Sequence, residues 1–298
     1  MVAQDTANAA PRALSIAGSD PSGGAGIQAD LKTFAALGAY GMAALTALTA
    51  QNTRGVAGVS EVDAGFVGEQ IDAVFADIRV DAVKIGMLGS ADTVAAVAEC
   101  LRRHRPGVVV LDPVMVAQSG HRLVGDATVA AMRSELLPLA TVITPNLPEA
   151  AVLLDADQAD HRAAMERVAA ELVGLGCNAV VLKGGHLGGA ASPDVFHGPE
   201  GTAWLDGARI RTQNTHGTGC TLASAIAALA PVAGSLEEAA RGAKLYLTRA
   251  LARASELDVG GGHGPVHHFH DSWDHAPAAR VLHAVRHERA QEGAASGG

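Results

Sequence analysis

A glycine-rich turn that carries a cysteine, His216-Gly217-Thr218-Gly219-Cys220, stands directly before an apolar run at residues 222–227. The run predicts a helix whose first N–H groups lack intrahelical partners and attract anions. The two glycines let the backbone approach a ligand closely. The helix start is expected to lower the pKa of the Cys220 thiol, which would make it a base or a nucleophile. This combination indicates phosphoryl or acyl transfer, and the alternative is a small buried cysteine.

A carboxylate lies beside the apolar stripe of another predicted helix, at residues 26–37. At about 100° per residue, Asp30 falls at the edge of the stripe that contains Ile27 and Phe34. A carboxylate there needs a partner, and both a ligand N–H group and a local ion pair could supply it. The preceding loop, residues 18–26, is rich in glycine but matches neither dinucleotide nor P-loop spacing. A ligand-binding loop and an ordinary tight turn both stay open for it.

Two acidic residues could organise a metal ion. Asp112 and Glu149, together with Asn146, could order Mg²⁺ through water and so orient phosphates. Asn146 is also typical of a helix N-cap with Glu149 completing a capping box, and the two roles can coexist. Lys183 precedes a Gly-Gly turn, where it either contacts a phosphate or is simply solvated. The histidines of residues 260–270 lack metal-ligand spacing and predict a loop near the site.

The elements that must position these residues alternate along the chain. Apolar runs without polar interruption, joined by helical patterns, indicate a parallel sheet covered on both faces. Strands are predicted at residues 13–17, 43–49, 82–85, 108–111, 142–144 and 179–182, and a hairpin within 194–211. Helices are predicted at 26–37, 66–78, 91–104, 126–137, 162–175, 221–230, 235–257 and 277–289. Polar residues follow the predicted strands repeatedly, so the functional site is expected at the carboxyl edge of the sheet.

Composition narrows the class of protein. The chain has 298 residues, 48% of them apolar, which is enough for a large core, and a net charge of −9 that argues against nucleic-acid or anionic-membrane surfaces. Three cysteines without CxxC spacing argue against a disulfide framework or a cysteine zinc site. We expect a soluble cytoplasmic protein with no membrane span. One α/β/α domain is predicted over residues 13–275, between a disordered leader (1–12) and a C-terminal helix and tail (276–298).

Taken together, these segments resemble the bacterial hydroxymethylpyrimidine/phosphomethylpyrimidine kinases of thiamine synthesis, in the ribokinase-like superfamily. The resemblance spans residues 12–270 and is carried by AGSDPSGGAGIQAD (17–30), TALTAQNT (46–53), DPVM (112–115), TPNLPEA (144–150), KGGH (183–186) and HGTGC (216–220). It implies a three-layer α/β/α sandwich with a mostly parallel central sheet and helices on both faces. It also implies a homodimer.

The resemblance implies a reaction. ATP, with Mg²⁺, phosphorylates the hydroxymethyl group of 4-amino-5-hydroxymethyl-2-methylpyrimidine and then the monophosphate, which gives the diphosphate. Cys220 would accept the hydroxyl proton while the amides of residues 217–220 hold the γ-phosphoryl oxygens. The other implied roles are pyrimidine binding by Gly18, Asp30, Gln51, Met87 and Val114, ATP binding by Asn146, Lys183 and Thr218, and metal binding by Asp112 and Glu149.

One departure from the family and two rival functions stay open. Gln118 stands where a lysine is expected, which puts a phosphate contact there in doubt. A pyridoxal or pyridoxine kinase of the same superfamily acts on a similar hydroxymethyl-bearing ring, although Asp30 with Gln51 suits an aminopyrimidine better. A non-catalytic pyrimidine-binding protein on the same fold is the other rival, and the presence of Cys220 and Lys183 speaks against it.

Overall fold

The computed structural model describes residues 10–116, 123–273 and 282. The chain divides into two compact units, Met1–His268 and Phe269–Gly298. In the second unit, the rings of Phe269 and Trp273 stack with their centroids 4.9 Å apart. Gln118 and the predicted helix at 277–289, apart from residue 282, lie outside the described residues, as do residues 1–9 of the predicted leader. All the elements named below belong to the first unit.

A nine-stranded sheet forms the middle layer of the first unit. Its strands are β1 (Arg12–Ser19), β2 (Tyr40–Asn52), β3 (Gly55–Glu61), β4 (Ala82–Ile85), β5 (Val108–Leu111), β6 (Val142–Ile143), β7 (Ala179–Lys183), β8 (Asp194–Gly198) and β9 (Gly201–Leu205). Their order across the sheet is β3-β2-β1-β4-β5-β6-β7-β8-β9. The strands from β2 to β7 in that order run parallel, whereas β3, β8 and β9 pair antiparallel with their neighbours.

Helices cover both faces of this sheet, as the sequence predicts. They are α1 (Gly26–Ala36), α2 (Ala64–Asp77), α3 (Ala91–His104), α4 (Asp126–Ala131), α5 (Leu147–Leu154), α6 (Arg162–Val173), α7 (Thr218–Leu229) and α8 (Leu236–Ala252). Leu14 and Ile16 of β1 pack into a core with residues of α2 to α6, whereas Ala13 packs into a second core with α1, α7 and α8. The two cores on opposite faces confirm the predicted three-layer α/β/α arrangement, with a mostly parallel sheet.

Two details of the fold differ from the sequence prediction. β3 was not predicted, because it is an exposed edge strand with two glycines and no buried apolar face. The helix predicted at 126–137 is interrupted after α4 by a π-helical turn (Met132–Leu136) and a 3₁₀ turn (Leu137–Leu139). Pro138 in that last turn has no N–H to continue an α-helix. The predicted hairpin is present as β8 and β9.

Within the described part of the chain, none of the helices combines the length and apolar character needed to cross a bilayer.

β1 turns directly into a loop that leads to α1, and its neighbours β2 and β4 lie on opposite sides of it. The order of the strands therefore reverses at β1. In an open parallel sheet, such a reversal opens a crevice at the carboxyl ends of the strands.

Candidate active site

A cavity of about 460 Å³ lies at the carboxyl ends of the parallel strands. Its wall is formed by Thr49 and Gln51 of β2, by the loops that follow β1, β4, β5, β6 and β7, and by the first turn of α7. Among the candidate residues predicted from the sequence, every one except Asp30 lines this cavity: Gly18, Gln51, Met87, Asp112, Val114, Asn146, Glu149, Lys183, Gly217, Thr218, Gly219 and Cys220. The carboxyl edge of the sheet therefore brings together residues that are distant in the sequence.

The first turn of α7 forms an anion cradle. Gly217 caps the helix with a φ of 79°, and a Cβ at this position would lie 1.9 Å from the carbonyl oxygen of Gly24. Only glycine fits this turn without strain. The main-chain N–H groups of Gly219 and Cys220 have no hydrogen-bond partner among the residues that the structure describes. They are available to an anion in the cavity.

The Cys220 thiol does not have the lowered pKa that the sequence predicts. Burial raises its pKa to about 11, and the carboxylates of Asp30 and Asp112 add to this, while the charge of Lys84 acts in the opposite direction. Desolvation of the thiolate therefore outweighs the helix N-terminus. Cys220 is nevertheless partly exposed and lines the cavity, whereas Cys100 and Cys177 are buried. The alternative of a cysteine walled off in the core is wrong for Cys220.

We expect iodoacetamide to alkylate Cys220 slowly near neutral pH and about tenfold faster for each pH unit towards the thiol pKa, because the thiolate is the nucleophile. The labelled peptide in the folded protein should be the one that contains Cys220, since Cys100 and Cys177 are each only 3% exposed. Mass mapping over a pH series measures both the rate and the site, with Cys220→Ser as the control. A rate independent of pH, or dominant labelling of another cysteine, would contradict this assignment.

Lys183 lies between two carboxylates at the middle of the cavity. Its ammonium is 2.9 Å from Asp112 Oδ1 and 3.8 Å from Glu149 Oε2. Although burial disfavours the charge, these carboxylates raise the pKa of Lys183 to about 12. A Cβ on Gly219 would lie 3.4 Å from Lys183 Nζ, so the ammonium lies close to the cradle. Lys183 is therefore a mostly buried, charged side chain that lines the cavity, and not a solvated one.

The predicted capping box is confirmed at the start of α5. The Asn146 side chain accepts from the Glu149 N–H at 2.8 Å, and Glu149 Oε2 accepts from the Asn146 N–H at 2.8 Å. Burial raises the pKa of Glu149, and the Asp112 charge adds to this, while Lys183 lowers it. A second positive charge in the cavity would favour the ionised carboxylate.

The carboxylates of Asp112 and Glu149 offer the kind of oxygen ligands that suit Mg²⁺. Asp112 Oδ1 accepts from Thr144 and Lys183, and Oδ2 lies 3.2 Å from the Cβ that Gly219 lacks, facing the cradle. Mg²⁺ prefers oxygen ligands and is often held by one or two carboxylates together with phosphates. The described residues form no cluster of three or more His, Cys, Asp or Glu side chains suited to a metal. A metal ion held by these two carboxylates would need further oxygen ligands from water or a substrate.

Asp30 does not bind a ligand, contrary to the prediction. Its side chain is fully buried and does not line the cavity. Both carboxylate oxygens lie 2.8 Å from Lys84 Nζ, and the hydroxyls of Ser15 and Ser224 each donate to one of them at 2.6 Å. The alternative left open by the sequence, an ion pair, is what the structure contains.

One end of the cavity lies near β1 and β2. A Cβ on Gly18 would lie 2.5 Å from Cε of Met87, so this glycine makes room for the methionine. Met87, Val114 and Gln51 line the same end. Sequence analysis missed His216, whose Nε2 lies 2.8 Å from Asp20 Oδ2. Its position immediately before Gly217 was the signal available.

The opposite end of the cavity contains a second group of residues that no sequence motif indicated. Lys244 Nζ donates to Asp194 Oδ2 at 2.7 Å. The Arg209 guanidinium donates to main-chain carbonyls of the loop after β7, at Gly185, Leu187, Gly189 and Ala191. Arg209 therefore fixes a loop that is rich in glycine. The apolar side chains of Leu247 and Leu251 also line the cavity.

Comparison with known proteins places this geometry in a family. Residues 20–267 match the family model described as phosphomethylpyrimidine kinase. The chain is 54% identical over 261 residues to the hydroxymethylpyrimidine/phosphomethylpyrimidine kinase of Salmonella typhimurium, covering 88% of this chain and 98% of that protein.

Two solved structures show the same fold. The crystal structure of phosphomethylpyrimidine kinase from Clostridium difficile 630 superposes with a TM-score of 0.72 at 41% identity, covering 81% of this chain and 99% of that one. An ADP complex of Bacillus subtilis pyridoxal kinase gives 0.80 at 36% identity, covering 87% and 98%. The fold is therefore that of these vitamin kinases, which confirms the ribokinase-like prediction. With its family model and its high identity over nearly the whole length of a relative, the chain belongs to the phosphomethylpyrimidine kinase family.

Proposed function

We propose that this protein is an ATP-dependent kinase that phosphorylates 4-amino-5-hydroxymethyl-2-methylpyrimidine and then its monophosphate, for thiamine synthesis. The observation that carries the proposal is one continuous cavity. It contains Gln51 and Met87 as well as the anion cradle of α7, and Cys220 lines the same cavity. The membership of the family supports this substrate, because the Salmonella typhimurium relative is a kinase of that name.

Cys220 is the proposed acceptor of the hydroxyl proton. In a loose phosphoryl-transfer transition state the attacking oxygen carries little new charge early, so the acceptor is needed late in the step. A thiol with a pKa of about 11 is a strong base when ionised, although the ionised fraction is small near neutral pH. The N–H groups of Gly219 and Cys220 would hold the phosphoryl oxygens as charge spreads over them.

Lys183, Asp112 and Glu149 are proposed to balance the charge of the polyphosphate, with Asn146 and Thr218 close to the nucleotide. Asp112 and Glu149 would hold Mg²⁺, which when bound orients the phosphates and offsets their charge. Lys183 keeps its proton because the same two carboxylates flank it. It therefore supplies a fixed positive charge 2.9 Å from Asp112 and next to the cradle.

A pyridoxal kinase activity is the second candidate, and one observation favours it. The Bacillus subtilis pyridoxal kinase superposes with a higher TM-score, 0.80, than the Clostridium difficile phosphomethylpyrimidine kinase, 0.72. Its substrate class also places a hydroxymethyl group on a flat heteroaromatic ring. The sequence favours the pyrimidine kinase, because identity to the Salmonella typhimurium relative is 54% and to the pyridoxal kinase 36%.

A coupled assay of ADP release tests the function. We expect turnover with the hydroxymethylpyrimidine and with its monophosphate, and a kcat/KM for pyridoxine lower by about tenfold or more, since a missing hydrogen-bonding group is worth that much in a polar site. A higher kcat/KM for pyridoxine than for the pyrimidine would favour the second candidate. Tight pyrimidine binding without turnover of any acceptor would indicate a non-catalytic binding protein.

We also propose that the enzyme works in the cytoplasm as a homodimer. All three cysteines are free thiols, which suits a reducing compartment. The dimer rests on the family resemblance alone.

A further inference from the structure

The loop between β1 and α1 packs backbone against backbone on the turn that precedes α7. A Cβ on Gly24 would lie 2.3 Å from His216 Cδ2, and a Cβ on Gly217 would lie 1.9 Å from the carbonyl oxygen of Gly24. Gly26 has a φ of 56°, and a Cβ there would lie 2.3 Å from the carbonyl oxygen of Gly18. Because there is no room for side chains in this contact, glycines are needed on both sides of it.

The Asp20 carboxylate joins this loop to the turn. It is 2% exposed, and its Oδ1 accepts from the main-chain N–H of Ser22 at 2.9 Å and from the Ser22 hydroxyl at 2.7 Å. Its Oδ2 accepts from the N–H groups of Gly24 at 3.1 Å and Ala25 at 2.9 Å, and from His216 Nε2 at 2.8 Å. Although burial acts against ionisation, the bonds from His216 and Ser22 lower the pKa of Asp20 to about 2. Asp20 is therefore an ionised acceptor at neutral pH, and its bonds bind both segments.

The next N–H along the loop, that of Gly26, faces the sulfur of Cys220. Gly26 begins α1, so its N–H has no partner inside that helix. Burial has the largest effect on the pKa of the Cys220 thiol and raises it, whereas the hydrogen bond from the Gly26 N–H to the sulfur lowers it. Cys220 itself lies in the first turn of α7. Two helix N-termini therefore meet at one sulfur, and both favour the thiolate.

We propose that Asp20 is a positioning residue for phosphoryl transfer, which holds the start of α1 against the first turn of α7 so that the Gly26 N–H stays bonded to the Cys220 sulfur. That bond stabilises the thiolate, which takes the proton of the substrate hydroxyl. The hydroxyl oxygen then forms its bond to the γ-phosphorus of ATP as the bond to ADP breaks. The inference rests on the proposed function, because it gives Asp20 a part in the proton transfer to Cys220.

Substitutions of Asp20 test the proposal. Asp20→Ala removes all five contacts that the carboxylate accepts, whereas Asp20→Asn keeps one acceptor oxygen. For Asp20→Ala we expect kcat of the first phosphorylation to fall about 10- to 100-fold, the usual value of a hydrogen bond to a charged group, and for Asp20→Asn to fall less. The Kd of the hydroxymethylpyrimidine, measured by calorimetry, should change by about threefold or less, because the bonds of Asp20 are made to the protein itself.

A double-mutant cycle with Cys220→Ser separates positioning from a merely structural role. If Asp20 acts through the sulfur, adding Asp20→Ala to Cys220→Ser should lower the residual kcat by about threefold or less, far below its effect in the wild type. A merely structural role would lower kcat by the same factor in both backgrounds.

His216 provides a second pair of variants, which test the link from the other side if Asp20→Ala does not fold. His216→Phe keeps a ring and removes the donor to Asp20, whereas His216→Gln places an amide N–H near the position of Nε2. We expect His216→Phe to lower kcat about tenfold, again with little further effect on Cys220→Ser, and His216→Gln to recover most of the loss.

Asp81→Ala is the matched control. Asp81 also accepts from a main-chain N–H, that of Arg12 at 2.9 Å, but it does not line the cavity. This variant should lower the melting temperature and leave kcat near that of the wild type. Melting temperatures of all variants show whether each is folded.

The outcomes separate this inference from the proposed function. Wild-type protein that does not phosphorylate the pyrimidine would overturn the proposed function and the inference with it. Active wild-type protein whose folded Asp20→Ala or His216→Phe variant keeps a normal kcat would overturn the inference alone. So would a loss confined to the Kd of the pyrimidine, or a loss by the same factor with and without Cys220.

Discussion

Cys220→Ser is expected to lower kcat for the first phosphorylation by about 10²- to 10⁴-fold, the usual contribution of a general base. Serine keeps the size of the side chain and the turn that precedes α7, so the cradle survives. Its hydroxyl ionises even less readily than a thiol, so the proton acceptor is lost. Since the proposed role of Cys220 is in the transfer step and not in holding the ring, the Kd of the pyrimidine should change by about twofold or less.

The pH dependence of kcat adds an independent signature of this base. Because burial raises the pKa of Cys220 to about 11, the ionised fraction grows throughout the neutral and mildly alkaline range. Wild-type kcat should therefore rise with pH where chemistry limits the rate, and the residual kcat of Cys220→Ser should not follow the same rise. Single-turnover measurements with saturating ATP over a pH series give both curves.

Cys100→Ser is the matched control, because Cys100 is a buried thiol in α3, away from the cavity wall. It should cost some stability and leave kcat near that of the wild type. A nearly normal kcat for Cys220→Ser would remove Cys220 from the mechanism. In that case the cradle and Lys183 would carry catalysis by electrostatics alone.

Local patterns in the sequence predicted most of the architecture and much of the site. The apolar runs at β1, β4, β5 and β7 are buried on both faces, so their sequences alone predict strands. The Asn146–Glu149 capping box acts over three residues, so the local sequence is enough to predict it as well. The glycines at the start of α7 likewise indicate that the backbone there approaches another group closely. These features depend on neighbours in sequence, which a single chain displays directly.

The sequence does not show which side chains pair with each other when they are far apart along the chain. Asp30 shows on a helical wheel that it needs a partner, but Lys84, 54 residues later, satisfies it and a ligand does not. Asp20 and His216 are 196 residues apart. The prediction of a lowered pKa for Cys220 is wrong for a related reason. The helix start is visible locally, whereas the desolvation that outweighs it depends on how the surrounding elements close over the thiol.

Lys84→Met is expected to lower the free energy of unfolding by about 3–5 kcal/mol, because it leaves the Asp30 carboxylate buried without its counter-charge. Both side chains are fully buried and form two contacts of 2.8 Å. The Asp30 charge raises the pKa of Lys84 above its ordinary value despite burial. This raised pKa contributes stability that is fully present below the unfolded pKa of lysine and is lost as pH rises through the folded one.

The double variant Lys84→Met/Asp30→Asn is the control that isolates the unpaired charge. Its asparagine carries no charge, and one serine hydroxyl can still donate to its Oδ1 while the other accepts from its Nδ2, so most of the lost stability should return. Urea unfolding at neutral pH, within the window where the pair is ionised, measures all three proteins. If Lys84→Met loses about 1 kcal/mol or less, or if the double variant is no more stable than the single one, then burial of an unpaired Asp30 is not what costs stability. Recovery in the double variant would show that the stability lost in Lys84→Met comes from the unpaired charge of Asp30.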